Sequence, residues 1–102
     1  MYTQITMEGL TDKFEKLTEE INIHLQVYIE NGDREAFKKN ANSIVEQVIA
    51  AGGNLYMSRS CYIAHMFSFD ECKKNMLDNP HDYIFEVSDD PEEHPGIVIN
   101  FK

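Results

Sequence analysis

YIENGDREAF, residues Tyr28 to Phe37, carries the punctuation on which the fold turns. Asn31-Gly32 is a favourable left-handed helix terminator, and Asp33 is a residue type that caps the N-terminus of a following helix. Apolar residues recur at three- and four-residue steps on both sides of this break. Upstream stand Leu10, Phe14, Leu17, Ile21, Leu25 and Tyr28; downstream stand Phe37, Ala41, Ile44 and Val48, before Gly52-Gly53. Each set forms one face of an α-helix. With three residues between them, helices near 11–31 and 33–51 are expected to fold back as an antiparallel hairpin. Thr11 is read as the cap of the first, with Asp12 favouring its first turn.

The first helix carries a second apolar strip. Ile23 and Val27 lie opposite the main stripe, so its second half is apolar nearly all round and calls for cover on two sides. Cover by the rest of this chain is the expectation; a second copy, making a homo-oligomer through this helix, is the alternative.

Beyond Gly53 the pattern changes. Residues 55–69, LYMSRSCYIAHMFSF, contain one charge, Arg59. Their periodicity suits a buried strand or a short helix, with the strand favoured for the first part because Tyr56 to Tyr62 alternates. Ser68 with Glu71 has the spacing of a capping box and predicts a short helix burying Phe69, Cys72 and Met76. Tyr83, Phe85 and Val87, and then Ile97, Ile99 and Phe101, alternate as two strands over 83–87 and 97–101. The loop Val87–Gly96 between them holds Pro91 and Pro95, which bar it from a sheet interior. YTQITM, residues 2–7, is rich in strand formers and is read as an edge strand or an ordered arm. The expected fold is α+β in a single domain spanning residues 1–102. It has an N-terminal antiparallel helical hairpin, a short third helix, and a small antiparallel sheet ending in a C-terminal β-hairpin.

The 102 residues carry a net charge of −9, distributed unevenly. Residues 1–74 account for −3 and residues 75–102 for −6, the latter with Lys102 as their one cation. Such a balance argues against nucleic acid as a direct ligand and against an anionic membrane surface. No apolar run approaches the ~20 residues that span a bilayer. MYTQITMEGL has neither the basic nor the apolar region of a secretory signal, so a cytoplasmic setting is expected. Such a setting keeps Cys61 and Cys72 reduced.

The chemistry-bearing residues do not fall into a motif. Cys61, His65, Cys72, His81 and His94 could be written as a zinc site, yet no C-x2-C, H-x3-H or H-E-x-x-H spacing is present, and buried cysteine usually just packs. The acids of the loop lack the ligand order of an EF-hand. A Cys61/His65 enzyme would need a third, orienting group, and an apolar neighbourhood makes a thiol inert. No cofactor, no metal and no catalysis are therefore expected. His24, on the apolar face of the first helix, is read as a core histidine.

The acidic end remains. Asp78, Asp82, Glu86, Asp89, Asp90, Glu92 and Glu93 follow one another without an intervening Lys or Arg. Unneutralised like charge opposes compaction, a cost a fold tolerates when the field steers a basic partner. Arg forks pair with carboxylate and phosphate alike, so a surface that normally holds nucleic acid is a fitting target. The expected function is a small acidic, non-enzymatic binding protein, an inhibitor engaging a basic, nucleic-acid-binding protein surface. Phages use proteins of this kind against host nucleases or defence complexes. The alternatives are an oligomeric helical scaffold or small-ligand binder using Ile23 and Val27, and a small Cys/His enzyme.

Overall fold

The computed structural model describes residues 7–102, with side chains from Thr11 onward. Most of the arm expected over residues 2–7, and the Leu10 side chain, lie outside these. Two helices, α1 (Met7–Asn31) and α2 (Arg34–Ala50), form the expected hairpin. Gly32 ends α1 at φ 71°, its N–H donating to the Tyr28 carbonyl at 2.8 Å. Asp33 caps α2, its Oδ1 accepting from the Ala36 N–H at 3.1 Å. Thr11 is not a cap, because α1 already begins at Met7 and Thr11 lies inside it.

The two stripes meet as periodicity requires. Phe14, Leu17, Ile21, Leu25 and Tyr28 of α1 and Phe37, Ile44 and Val48 of α2 are buried, and the Tyr28 and Phe37 rings stack with centroids 5.3 Å apart. Each such burial contributes about 1.5–3 kcal/mol, so this hairpin is a large share of the driving force for folding.

The second half supplies a three-stranded sheet and two short helices: β1 (Asn54–Met57), α3 (Arg59–Ala64), α4 (Phe69–Asp78), a 3-10 turn at Pro80–Asp82, β2 (Tyr83–Val87) and β3 (Gly96–Phe101). The segment that suited both strand and helix contains both. Ser58 divides them: its N–H donates to Ile99 O at 2.8 Å, and its Oγ accepts from the Cys61 N–H at 3.1 Å to cap α3. The alternation up to Tyr62 therefore overran a helix start. Ser68 caps α4, accepting from the Glu71 N–H at 3.2 Å; Cys72 and Met76 are buried as expected, whereas Phe69, at the first position of the helix, is only half-buried.

The strand order is β1-β3-β2. β2 and β3 form the expected antiparallel hairpin, with Tyr83 opposite Phe101 and Val87 opposite Ile97. β1 pairs parallel to β3, Asn54 opposite Gly96 through Met57 opposite Ile99, so the sheet is mixed where an antiparallel one was expected. The cause lies at the end of α2. Gly52-Gly53 delivers the chain beside the closed end of the hairpin, where the Asn54 N–H donates to Pro95 O at 2.9 Å, and β1 then runs alongside β3. Gly96 is required at this crossing: it has φ 135°, and a Cβ there would collide with the Asn54 carbonyl.

One sheet face, with Tyr83, Phe85, Ile97 and Ile99, closes the core against the helices. The register puts Tyr56, Val98 and Glu86 in a row on the other face. Ile23 and Val27 are not covered by the other described residues, being 62% and 46% exposed. On α1 the sheet packs against the main stripe and leaves this second strip outside. His24 is half-buried and outside the core cluster. Among the described residues no helix is long and apolar enough to cross a membrane.

Candidate functional site

The seven acids of the C-terminal quarter divide into one that is paired with an arginine and six that have no Lys or Arg partner among the described residues. Asp78, at the end of α4, accepts from Arg34 Nη2 at 2.8 Å. Arg34 also reaches Leu77 O and the Tyr28 hydroxyl, both at 3.2 Å, while that hydroxyl donates to Leu77 O at 2.6 Å. Asp78 thus ties α4 to the start of α2, and its charge is spent inside the molecule. Among the described residues, no Lys or Arg pairs with Asp82, Glu86, Asp89, Asp90, Glu92 or Glu93. Asp82 stands 3.9 Å from His81, and Glu86 accepts from Asn100 Nδ2 at 2.8 Å across the outer sheet face.

The loop that carries four of these acids is held from within. Ser88 is buried; its N–H donates to Gly96 O at 3.0 Å and its Oγ accepts from the Asp90 N–H at 3.2 Å. Asp90 then organises the tip: its carbonyl accepts from the His94 N–H at 2.8 Å, and its Oδ2 lies 3.3 Å from His94 Nδ1. His94 in turn meets Tyr56 of β1 edge-on, ring centroids 5.5 Å apart. Short-range bonds of this kind, with Pro91 and Pro95, restrict the loop before any partner arrives.

Between this loop and α3 the outer sheet face is concave, an open groove of about 710 Å³. Glu86, Asp89, Asp90 and His94 line it together with Tyr56, Arg59 and Tyr62. Carboxylates beside aromatic rings suit an arginine or lysine side chain, which pairs with the acid and lies over the ring. Arg59 is the counter-feature, a cation of the chain itself that is free of carboxylate partners among the described residues. Sequence reading found the acids but not Tyr56, Arg59 or Tyr62. Their placement depends on the parallel pairing of β1 with β3 across some forty residues, which leaves no local signal.

The five residues considered for a metal do not gather in one place. Cys61, His65 and Cys72 do, with their donor atoms all within 4.8 Å of one another. His94 groups instead with Asp90 and Glu93 in the exposed loop. Both thiols are free and fully buried. Burial, and next the neighbouring Cys61, pushes the Cys72 thiol up to about 12. Burial foremost, then Cys72, Cys61 and Asp82, likewise pushes the Tyr83 phenol up to about 12. A thiol so protonated is a poor nucleophile. No family model matches this chain, and no curated protein or solved structure matches it at a significant level.

Proposed function

We propose that the protein is a small acidic binding protein that engages a basic protein surface through the β2–β3 hairpin, and that it acts as an inhibitor of a nucleic-acid-binding partner. The supporting observation is the set of six carboxylates without a Lys or Arg partner among the described residues, four of them on an internally braced loop beside an aromatic-lined groove. A braced loop loses little entropy on binding, and like-signed charge gathered on one side raises the association rate with a basic surface. The two free thiols suit a reducing compartment, in keeping with a cytoplasmic target.

The test is capture of partners from host lysate at low and high salt, followed by rate measurements with each partner identified by mass. Changing Asp89 and Asp90 to Asn and Glu92 and Glu93 to Gln should slow association, and duplex DNA should compete for the same partner. Unchanged rates for the neutralised protein at every salt concentration would reduce the loop to a solubility feature.

A second reading has its own observation. Ile23 and Val27 present an uncovered apolar strip on α1, and self-association through it would make a helical scaffold. Salt separates the two, because acidic recognition weakens with ionic strength and an apolar helix contact does not.

A further inference from the structure

We infer that Cys61, His65 and Cys72 form a zinc site at the open end of the hairpin, away from the acidic loop. Two short helices converge to build it. Cys61 sits in the first turn of α3, His65 is the residue that ends α3, and Cys72 lies on the buried side of α4. What brings the two helices together is the reversal at Met66 and Phe67, both left-handed at φ 55° and 67°. L-residues rarely adopt that conformation, and two in succession with side chains 83% and 64% exposed are not there for core packing. The turn is closed by Phe67 N–H to Tyr62 O at 2.7 Å and Ser68 N–H to His65 O at 3.0 Å.

The donor set and its spacing both point to zinc. Two thiolates and an imidazole are the borderline-soft ligands this ion takes, whereas magnesium and calcium require oxygen. In a tetrahedral zinc shell such donors stand about 3.5–3.8 Å apart, from bond lengths of about 2.3 Å to sulfur and 2.0–2.1 Å to nitrogen. Here all three already lie within 4.8 Å of one another, so closure needs side-chain adjustment of about an ångström and no change of fold. The outer support exists as well. The Tyr83 hydroxyl is 2.8 Å from His65 Nε2, and the rings of Tyr83 and Phe101 flank the imidazole at centroid distances of 6.0 and 5.8 Å. With Nε2 held by Tyr83, Nδ1 is the nitrogen left to ligate, and a contact to the second nitrogen fixes a ligating ring in place. His65 is half-buried and forms the solvent side of a site whose thiols are fully buried. Binding replaces both thiol protons, which leave to solvent, and the third protein ligand leaves a fourth position for water. The absence of any zinc-finger spacing does not count against this arrangement, because the Met66–Phe67 turn supplies the proximity that a C-x2-C spacing supplies elsewhere.

The test is metal binding by the intact, reduced protein, titrated with Co²⁺ and then Zn²⁺ against a chromogenic chelator. The expected result is one equivalent per chain, a cobalt–thiolate charge-transfer band with tetrahedral d–d bands, and displacement by zinc. Cys61→Ser and Cys72→Ser should each abolish the thiolate band. Tyr83→Phe should keep the band and weaken affinity by about 10- to 100-fold. His65→Gln, a change at a half-buried position, covers the case in which a cysteine variant fails to fold; it should lose tight binding with the far-ultraviolet spectrum intact. Failure of the folded, reduced wild type to take up either metal would overturn the assignment. So would binding that survives both cysteine changes and is lost in His94→Ala, which would move the ion to the acidic loop.

Discussion

Asn22 of α1 holds the backbone of Phe85 in β2 with both ends of its amide: Nδ2 donates to Phe85 O at 2.8 Å, and Oδ1 accepts from Phe85 N–H at 2.9 Å. β2 is an edge strand, and this side chain supplies what a neighbouring strand would otherwise provide. It also fixes the hairpin to the helices in one register.

Asn22→Ala should therefore cost about 1–3 kcal/mol, the range for leaving buried backbone groups unpaired. Urea unfolding would show it as a lower midpoint at unchanged slope. A loss within error would mean that water replaces the amide without penalty.

The exposed strip of α1 gives a prediction of opposite sense. Ile23→Glu with Val27→Glu should leave the fold within about 0.5 kcal/mol per site of wild type, as for other surface changes. Sedimentation at increasing concentration then tests the scaffold reading directly. A wild type that dimerises and a double variant that does not would support it, and a wild type that stays monomeric would end it.

Alkali should destabilise the metal-free protein through two groups. The Cys72 thiol, ordinarily near 9.0, is held up to about 12 in the folded chain, and Tyr83 is raised from 10.0 to about 12. The unfolded chain thus gives up these protons first. The stability they confer is complete below about pH 9 and drains away as pH climbs toward 12. Denaturation midpoints measured across that window should fall, and Cys72→Ser and Tyr83→Phe should each flatten the fall. A profile unaffected by both would place the titrating groups elsewhere.

Met66→Gly should leave stability unchanged or raise it by up to about 1 kcal/mol, since relief of a left-handed side chain outweighs the entropy glycine adds to the unfolded state. A loss greater than that would show that the Met66 side chain packs in a way its exposure conceals. A stable variant with weakened zinc binding would tie the turn to the metal site.

What the sequence disclosed and what it withheld divide along range of interaction. The helical hairpin was legible because caps and stripes are local: Asp33 and the three- and four-residue steps act within one or two turns. The β2–β3 hairpin was legible because its alternation sets both register and facing. Hidden were the parallel place of β1, the split of residues 54–64 at Ser58, and the pairing of Asp78 with Arg34, which lies forty-four residues away. The same distinction governs the sites. The acids could be counted in the sequence, but their groove exists only once β1 is laid beside β3. Cys61 and His65 are one helical turn apart, while Cys72 joins them only through two left-handed residues that carry no glycine to announce them.

The central position of β3 has a consequence for how the protein comes into being. The strand that joins β1 to β2 follows both in the chain, so neither can pair until residues 96–101 have left the ribosome. Until then the helical hairpin, built from local contacts, can form alone and keep its main stripe waiting for a lid. Before that point β1 and β2 are partnerless strands, and unpaired strand edges of this kind are what chaperones exist to shelter. Sheet closure should therefore be a single event, in which one short segment slots between two others and closes the core in the same step.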